Sequence, residues 1–570
     1  ITPTMYAPLE TSLVLRKGTG DPTWSRTTKA WGFNELGYLE ELASGCAFFG
    51  GARLVRNLIG ATEDASSGSW LKSTDSSGAQ ATDSSGGSTA LRFTYGSTQS
   101  YLMRQNVSTA SRAATYCLQM RFKTDATHDW WRAMIYDGAA NQCRVWFNAQ
   151  TGALGNSAPG GSGVFGSVTI TDEGGGWFTL RLTGSPGVAG AGVYAQLSAA
   201  DGDGNTSYSS AASGDAITIE KPSLVDVTGY DVSYVPEYVS VGVEASPYFG
   251  AGIDGAKYFS TDYTGGRALT NLIGFRREVA ATNNLLHSRD LSNAAWSTKT
   301  NITAAETATG LDGIANTATT LTATAADAII LQPITLASAD RCASAYVKRR
   351  TGTGAISFTQ DGGSTWTDIT SQINSSTWSR VEITATLANP SVGFKISTSG
   401  DAIDVDCVQN EAGAVATSPI VTTSATVTRN ADSLTYQTAG NIDLAVGTMF
   451  CELFSPAMSA FPPVLLIGTG SCSLITGEPT SWRFNDSTTT VTIASGLSSI
   501  KTGKRKRAAS WGGATKSVCG DGIAPTSGAF DGSFGNGATI DIGNTLNGYI
   551  GPVAIWNYQM TDAELQEITK

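Results

Sequence analysis

Charged side chains and histidines are scarce in this sequence of 570 residues. Asp, Glu, Lys and Arg make up 15% of the chain, against roughly 25% in ordinary soluble proteins. The formal net charge is −11, so the chain lacks the basic field that holds a nucleic-acid backbone, and we expect no nucleic-acid partner. The only histidines are His128 and His287, which excludes sites that need several imidazoles.

Paired cysteines, long apolar runs and a leader pattern are also missing. None of the eight cysteines forms a C-x-x-C pair, which excludes zinc-ribbon and thioredoxin-like sites. They are too sparse for a disulfide scaffold, so we expect buried free thiols and a reducing compartment of synthesis. No apolar run approaches the ~18 residues of a membrane helix, and the first residues do not form a signal peptide. We therefore expect no membrane partner.

The pattern that is present has a period of two. Apolar and polar residues alternate in segments such as 168–171, 178–183 and 381–386, and glycine- or serine-rich clusters separate them. This rhythm is typical of antiparallel β-sandwiches, so we expect an all-β fold. Only two segments have a helical pattern, residues 34–43 and residues 561–569. In the second, Thr561 and Glu564 have the spacing of a capping box.

A long, weak internal repeat indicates two tandem domains. Four landmarks recur in the same order, and each unit spans a length typical of one domain. In the first copy the landmarks are Asn57 with Trp70, Cys117 with Lys123, Trp177, and residues 214–217. In the second copy they are Asn284 with Trp296, Cys342 with Lys348, Trp378, and residues 400–403. We expect Trp177 and Trp378 to plug the ends of sandwich cores and the two lysines to mark where strands reach solvent. The strand pattern after Asp432 predicts a third sandwich.

Residues 25–58 and residues 284–296 resemble a recurrent pattern in virion proteins of tailed bacteriophages and prophages, where it precedes a jelly roll like those of carbohydrate-binding modules. Residues 411–432 resemble the far end of the same unit, which the first copy replaces with residues 229–238. The close of the chain, residues 548–564, resembles the end of concanavalin A/laminin-G-like modules. The resemblance implies a virion protein, assembled in the host cytoplasm, that forms homotrimers as phage fibres commonly do.

The predicted architecture is therefore all-β, with two jelly-roll sandwiches, one concanavalin-like sandwich and an extended N-terminal arm. We expect the arm to attach the protein to other virion proteins. The predicted segments are the arm 1–52, the first jelly roll 53–245, a linker 246–280, the second jelly roll 281–435 and the concanavalin A/laminin-G-like sandwich 436–570.

Catalytic motifs are lacking, and we expect no enzyme activity, cofactor or metal. Glycoside hydrolysis needs two facing carboxylates, but the third sandwich has no sequence motif that would place two acids on one strand face. Asp404 and Asp406 share one strand face, where calcium is an alternative to a solvated surface. His128 and His287 have no motif partner.

Binding is the better functional class for this sequence. Trp130, Trp131, Arg132 and Tyr136 form its densest aromatic cluster, and alternation sends the two tryptophans to opposite faces. One should enter the core, and the other could stack on a sugar ring or fill an interface. The basic run 504–507 could bind an anionic polymer or form a solvated strand end.

Two functions from different classes follow from these observations. The first is a non-catalytic fibre or appendage on a phage tail or head whose sandwiches bind host-surface glycan. The second is a capsid decoration or cement protein without a ligand. A polysaccharide depolymerase is a weaker third hypothesis.

Overall fold

The computed structural model describes most of the chain in two units. It leaves out residues 1–2, 10–12, 14, 16, 21, 35, 43, 45–46, 51, 74–75, 85–86, 96–102, 108–110, 125–127, 188–191, 209–213, 231–234, 237, 239–250, 253–254, 259–273, 458–462, 468–471, 477–480, 487, 494–495, 501–502 and 533–536. One unit is Leu54–Lys257, and the other joins Ile1–Arg53 to Tyr258–Lys570.

The fold is all-β, as the period-two pattern predicts, and its strands pair antiparallel. The N-terminal segment contributes β1 Met5–Ala7, β2 Thr23–Ser25, β3 Ala30–Phe33, β4 Leu39–Leu42, β5 Phe48–Phe49 and β6 Arg53–Val55.

The first sandwich consists of two six-stranded sheets around one core. Its strands are β7 Leu71–Lys72, β8 Ser77–Ala81, β9 Ala90–Thr94, β10 Met103–Val107, β11 Tyr116–Thr124, β12 Trp130–Tyr136, β13 Gln142–Asn148, β14 Leu154–Gly160, β15 Val164–Gly174, β16 Trp177–Ser185, β17 Val193–Ala199 and β18 Ala216–Asp226. One sheet has the order β14-β13-β12-β17-β10-β7, and the other has the order β15-β16-β11-β18-β9-β8. Strands β19 Ala251–Gly252 and β20 Gly255–Tyr258 form a small sheet with β6.

The second sandwich is built in the same way around its own core. The strands of this region are β21 Phe275–Arg277, β22 Ala281–Asn283, β23 Thr298–Thr300, β24 Ile302–Ala308, β25 Ala318–Ala323, β26 Ala328–Pro333, β27 Ala339–Thr351, β28 Ile356–Thr359, β29 Thr367–Asp368, β30 Ser379–Leu387, β31 Ser391–Ile396, β32 Ala402–Ala412, β33 Val427–Arg429 and β34 Ser433–Gln437, with a 3₁₀ turn at Thr370–Gln372. Its sheets have the orders β29-β28-β31-β26-β23 and β30-β27-β32-β25-β24.

The two sandwiches have one topology. Strand by strand, β12, β17, β10 and β7 correspond to β28, β31, β26 and β23 in the first sheet. In the second sheet, β16, β11, β18, β9 and β8 correspond to β30, β27, β32, β25 and β24. The predicted tandem repeat is therefore present in the wiring of both sheets, although the first copy has the additional edge strands β14 and β15.

A buried asparagine closes each sandwich at the same place. The carboxamide oxygen of Asn57 accepts hydrogen bonds from the backbone N–H groups of Ile59 and Leu224, both at 3.1 Å, and its nitrogen donates to the carbonyl of Pro222 at 3.0 Å. One side chain thus fixes the entering segment to the central strand β18, and it satisfies backbone groups that strand pairing leaves open.

Asn283 makes the equivalent set of hydrogen bonds in the second sandwich. Its oxygen accepts from the N–H groups of Leu285 and Asn410, both at 3.1 Å, and its nitrogen donates to the carbonyls of Val408 at 3.0 Å and Ile420 at 2.9 Å. Asn283 is fully buried, so each of these bonds replaces one that water would otherwise make.

We call Asn57 and Asn283 the asparagine clamps. They shift the sequence alignment of the two repeat copies by one residue. Asn57 matches Asn283 and not Asn284, so the spacing to the buried Trp70 and Trp296 is thirteen residues in both copies. Two neighbouring asparagines, 283 and 284, made the sequence alignment ambiguous at this point.

The clamp reaches a β-bulge in each central strand. Lys221 in β18 and Cys407 in β32 have left-handed backbone conformations, with φ of 51° and 46°, and each directly precedes the residue whose carbonyl accepts from the clamp. The strand register shifts at the matching positions of the neighbouring strands β11 and β27. A bulge turns the backbone locally and leaves backbone N–H and C=O groups without partners on the neighbouring strand. The asparagine side chain forms hydrogen bonds with these groups.

The lysine and tryptophan landmarks of the repeat contact one another. The ammonium group of Lys123 lies 6.0 Å from the ring centre of Trp177, and that of Lys348 lies 5.0 Å from the ring centre of Trp378. Neither indole belongs to the main core of its sandwich. Both tryptophans are nevertheless buried, as expected, and Trp378 packs in a smaller core cluster with Phe33 and Tyr346. Each ring also attracts a lysine ammonium group.

The third sandwich takes strands from distant parts of the chain. Its own strands are β35 Gly447–Ala457, β36 Pro463–Ile467, β37 Cys472–Thr476, β38 Trp482–Asn485, β39 Thr490–Ile493, β40 Arg505–Gly512, β41 Thr515–Gly520, β42 Thr526–Ala529, β43 Thr539–Ile542 and β44 Asn547–Trp556. One sheet has the order β42-β41-β40-β35-β44-β21-β5, with β1 also paired to β44, and the other has the order β2-β34-β43-β36-β37-β38-β39.

These pairings correct the prediction of an extended N-terminal arm. Strands β1, β2 and β5 of the segment 1–52 lie in the two sheets of the third sandwich, and β21, from the predicted linker 246–280, lies beside β5. The segment has too few apolar residues for a core of its own, but it completes a core formed by the other end of the chain. The rest of the predicted linker lies largely outside the described residues.

Buried ion pairs fix this segment in place. The guanidinium of Arg26 lies 3.4 Å from the carboxylate of Asp432, which also pairs with Arg429 at 3.4 Å. Asp432 accepts a hydrogen bond at 2.9 Å from the backbone N–H of Glu278, and Glu278 pairs with Arg429 at 3.5 Å. Since buried charges are tolerated only when they are paired, this cluster specifies where the N-terminal strand docks.

Helix predictions had mixed outcomes. Residues 34–43 do not form a helix: they contain a turn and strand β4, which pairs with β3 in a hairpin. The hairpin packs Phe33 and Leu39 against the second sandwich, and this tertiary contact overrides the weak helical pattern. The C-terminal helix α1, Asp562–Ile568, is confirmed together with the capping box of Thr561 and Glu564.

Six cysteines are free and buried, as predicted: Cys117, Cys143, Cys342, Cys407, Cys451 and Cys519. The side chains of Cys46 and Cys472 lie outside the described set. Among the residues described, no helix has the length and apolar character needed to cross a membrane.

We expect Asn283→Ala to lower the stability of the second sandwich by about 3 kcal/mol, because it leaves buried backbone groups without partners. The matched control is Asn284→Ala, whose half-buried side chain donates only to the carbonyls of Thr282 and Asn410, and which should cost about 1 kcal/mol. Urea unfolding of both full-length variants measures the difference. Equal losses of stability in the two variants would contradict the assignment of Asn283, and not Asn284, as the counterpart of Asn57.

A second prediction concerns acid sensitivity of the third sandwich. Burial alone would raise the pKa of Asp486, but hydrogen bonds from the Lys516 ammonium at 2.6 Å and from the N–H groups of Thr489 and Thr488 hold it well below its usual range. A carboxylate with a depressed folded-state pKa contributes stability at neutral pH, and this contribution is lost as the pH falls below about 4.

Asp486→Asn should therefore lower the unfolding temperature strongly at pH 7, because it leaves the buried Lys516 unpaired. The gap between the unfolding temperatures of the wild type and the variant should stay constant from pH 7 to about pH 5 and narrow as the pH falls below about 4. Calorimetry across this range, with the exposed Asp443→Asn as a control, tests the account. A gap that does not change with pH would contradict it.

Candidate functional site

Strand β12 sends its residues alternately to the core and to the outer face of its sheet. Trp131, Ala133 and Ile135 are fully buried in the core, whereas Trp130 and Tyr136, which alternate with them, are half-buried. The predicted split of the tryptophan pair is thus found, with Trp131 as the inner member. Trp131 is one of the four predicted ligand-binding candidates, and its place in the core leaves it no surface to offer a ligand.

Neighbouring strands place further aromatic and cationic side chains beside β12. Arg132 lies opposite Trp146 of β13, and Tyr136 lies opposite Tyr194 of β17. Arg144, two residues before Trp146, points the same way. We call Arg132, Tyr136, Arg144, Trp146 and Tyr194 the arginine–aromatic face.

Two guanidinium groups share one indole at the centre of this face. The central carbon of Arg144 lies 5.0 Å from the ring centre of Trp146, and that of Arg132 lies 5.8 Å from it. The indole N–H of Trp146 donates a hydrogen bond to the carbonyl of Asn205 at 2.6 Å, so the loop after β17 fixes the ring. Cation–π contacts of this kind attract both cations to one ring.

In the residues that the structure describes, neither Arg132 nor Arg144 forms an ion pair with an acid. Within the described part of the chain, the Nε atoms of both residues are buried and lack hydrogen-bond partners. Burial lowers the pKa of Arg132, and the charge of Arg144 lowers it further. Two like charges therefore lie close together, and Arg132 is only 7% exposed, an arrangement that an anion would stabilise.

The rim of the face is more accessible than its centre. Tyr136 is half-buried, donates its hydroxyl hydrogen to the carbonyl of Ala139 at 2.9 Å, and has its ring centre 5.8 Å from that of Tyr194. Trp130 closes the other end, where a Cβ atom added at Gly155 would come within 2.6 Å of its ring. Gly155 thus makes room for the indole and for the carboxylate of Asp203, which would lie even closer to that Cβ atom.

The corresponding sheet of the second sandwich has only a single cation over an indole in its described residues: the ammonium group of Lys395 lies 5.3 Å from the ring centre of Trp366. The strand registers, aligned on the matching residues Gln105 and Gln332, place Ser357 at the position of Arg132 and Trp366 at that of Arg144. Because both copies share their topology, the arginine–aromatic face is not a requirement of the fold.

The other sequence candidates have structural roles. Asp404 is bound by Arg350 at 3.0 Å and Asp406 by Arg289 at 2.8 Å, so both strand acids neutralise arginines. Among the residues described, no group of three or more histidine, cysteine or acidic residues could hold a metal ion.

The basic run 504–507 is used in the same way. Lys504 pairs with Glu452 at 2.9 Å, and the buried Arg507 pairs with Asp521 at 2.5 Å. Two of the four cations of the run are therefore paired within the third sandwich, which favours the strand-end interpretation over a surface for an anionic polymer.

His128 contacts side chains that are distant from it in the sequence. Its Nδ1 lies 3.5 Å from the carboxylate of Asp215, which also accepts a hydrogen bond at 2.6 Å from the Tyr208 hydroxyl. The imidazole ring also packs edge-on against Trp131 and Tyr208. The histidine thus belongs to the packing of the sandwich end.

Sequence reasoning found Arg132 and Tyr136 but missed Arg144, Trp146 and Tyr194. These three lie on other strands, and only the strand register brings them together. The alternation of residues 142–148 was an available signal, because it places Arg144 and Trp146 on one face of a strand.

Comparisons with known proteins found no matching protein family and no matching curated protein. Solved structures with partial similarity include the CBM40 domain of Ruminococcus gnavus IT-sialidase bound to α2,3-sialyllactose, with 11% identity, a TM-score of 0.20, and coverage of 22% of this chain and 84% of that one. The CBM22-1–CBM22-2 tandem of Paenibacillus barcinonensis Xyn10C has 11% identity, a TM-score of 0.22, and coverage of 65% and 99%.

The LG1–3 region of the laminin α2 chain is similar at 11% identity and a TM-score of 0.17, with coverage of 81% of this chain and 96% of that one. All of these neighbours are carbohydrate-binding modules or laminin G domains. At such identities and TM-scores they carry no argument about ligands, and the sandwich fold rests on the sheets described above.

We expect Trp131→Ala to destabilise the first sandwich by about 3–5 kcal/mol, since it leaves a cavity in the core. Tyr136→Ala, on the outer face, should cost about 1 kcal/mol or less. Thermal unfolding of both full-length variants gives the comparison. A Trp131→Ala variant that unfolds at the wild-type temperature would show that the indole is not a core residue.

Proposed function

We propose that the chain is a non-catalytic binding protein whose first sandwich holds a glycan on the arginine–aromatic face. In the fuller form of the proposal, it is a fibre or appendage of a bacteriophage virion that binds glycan on the host surface. The observation that carries the glycan part is the presence of this face in one copy of the repeat and its replacement in the other.

The chemistry of the face suits a sugar ligand. Half-buried Trp130 and Tyr136 at the rim offer flat rings that the apolar face of a pyranose can cover. Arginine N–H groups at the centre are donors for hydroxyl and carboxylate oxygens. These groups lie on paired strands of one sheet, so their spacing is set before a ligand binds.

The virion part of the proposal has separate support. It rests on the resemblance of residues 25–58, 284–296 and 548–564 to phage virion proteins. Trimer formation and contact with other virion proteins rest on the same resemblance. Since the N-terminal strands lie in the third sandwich, any attachment to the virion would use the outer surface of that unit.

Glycan binding by the full-length protein tests the proposal. The full chain is needed because β1, β2, β5 and β21 complete the third sandwich, so residues 436–570 alone would lack part of their sheets. On an array of bacterial surface glycans we expect binding that Tyr136→Ala and Trp130→Ala each weaken by about tenfold, as for a central aromatic contact.

The matched control is Trp366→Ala, which removes a half-buried aromatic side chain from the corresponding sheet of the second sandwich. It should bind like the wild type. Binding that is lost equally in all three variants, or a wild-type protein that binds no glycan, would overturn the proposal.

A further inference from the structure

The charge of the arginine–aromatic face narrows the kind of glycan that it fits. This step rests on the proposed function, because it specifies the ligand class of the same site. Its starting point is the guanidinium of Arg132, in a side chain that is more than nine-tenths buried and whose Nε has no hydrogen-bond partner.

Most other buried arginines in the described residues have an acid beside them. Arg26 and Arg429 share Asp432, Arg276 pairs with Glu278, and Arg507 pairs with Asp521. Arg341 is the exception, and it donates a hydrogen bond to the carbonyl of Ala337. The common solution in this protein is thus to neutralise a buried guanidinium internally.

Arg132 and Arg144 depart from that rule. Both lie over the same face of the sheet around Trp146, and in the described residues neither pairs with a carboxylate. The polar side chains next to Arg132 on the sheet, Gln196 and Ser198, are neutral and hydrogen-bond to each other at 3.3 Å. The face therefore has an unbalanced positive charge in a protein whose net charge is −11.

The matching positions of the second sandwich carry no arginine. There, Ser357 replaces Arg132, and the residue opposite it is Asp368 in place of Trp146. Retaining two cations around one indole is unfavourable for the free protein, because they repel each other and one is largely desolvated. The arrangement becomes favourable when an anion lies between the two guanidinium groups.

We infer that the first sandwich binds an acidic saccharide, with a carboxylate or sulfate group of the sugar held by Arg132 and Arg144 and a ring of the same glycan packed on Tyr136 or Trp130. The planar guanidinium can donate two parallel N–H bonds to such an oxyanion. Because Arg132 is largely buried, the low local dielectric strengthens that pairing.

The test compares three soluble polysaccharides in affinity electrophoresis of the full-length protein: polygalacturonate, dextran sulfate and neutral dextran. We expect retardation by one or both of the acidic polymers and none by dextran. Binding should weaken as the salt concentration is raised from 50 to 500 mM. The effect should be smaller than for a fully exposed ion pair, because Arg132 is largely buried and therefore less screened.

Arg132→Gln and Arg144→Gln should each weaken binding of the acidic polymer by about tenfold or more. Arg181→Gln is the matched control, since it removes the same charge from the opposite sheet of the same sandwich and should bind like the wild type. If Arg132→Gln fails to fold, the half-buried Arg144→Gln still decides the question.

Each outcome has one meaning. Retardation by polygalacturonate alone identifies the anionic group as a carboxylate, and retardation by dextran sulfate alone identifies it as a sulfate. Acidic-polymer binding that Arg181→Gln weakens as much as Arg144→Gln would overturn the inference as a nonspecific charge effect. Binding to neutral glycans that the two arginine variants leave unchanged would overturn the inference but preserve the proposed function. Failure to bind any glycan would overturn both.

Discussion

The closure of each jelly roll depends on one buried carboxamide. Asn57 and Asn283 each join the segment that enters a sandwich to the bulged central strand, where the backbone turns left-handed and its own partners are lost. A side chain with two donors and an acceptor is the smallest group that can satisfy this set of backbone atoms at once. Because the bulge and the clamp occur together in both copies, they specify the sandwich, and the sheets can then vary on their outer faces.

The repeat provides an internal comparison between what the fold requires and what it does not. Both copies retain the clamp, the bulge, the strand order and a lysine over a tryptophan. Only the first copy surrounds an indole with two arginines that lack acidic partners within the described residues. A feature that one copy lacks without loss of topology is not explained by folding, and this is the physical basis for proposing that a ligand binds on that face.

The sequence predicted the all-β class and the tandem repeat because alternation and the order of landmarks are local signals. It also identified Arg132 and Tyr136, which belong to one strand. It could not predict that Arg144 and Trp146 lie beside them, because a strand pattern does not state the register. The N-terminal segment was misjudged for a related reason. Strands β1, β2 and β5 are too short to be recognised alone. β1 and β2 pair with strands more than 400 residues away in the chain, and β5 pairs with β21, more than 200 residues away.

The most direct test is an experimental structure of the full-length protein with an oligosaccharide of the acidic polymer that it binds. The account requires the anionic group of the sugar within hydrogen-bond distance of the guanidinium groups of Arg132 and Arg144, and a sugar ring against Tyr136 or Trp130. An oligosaccharide bound at another surface, with these arginines paired to an acid of the chain itself, would contradict it.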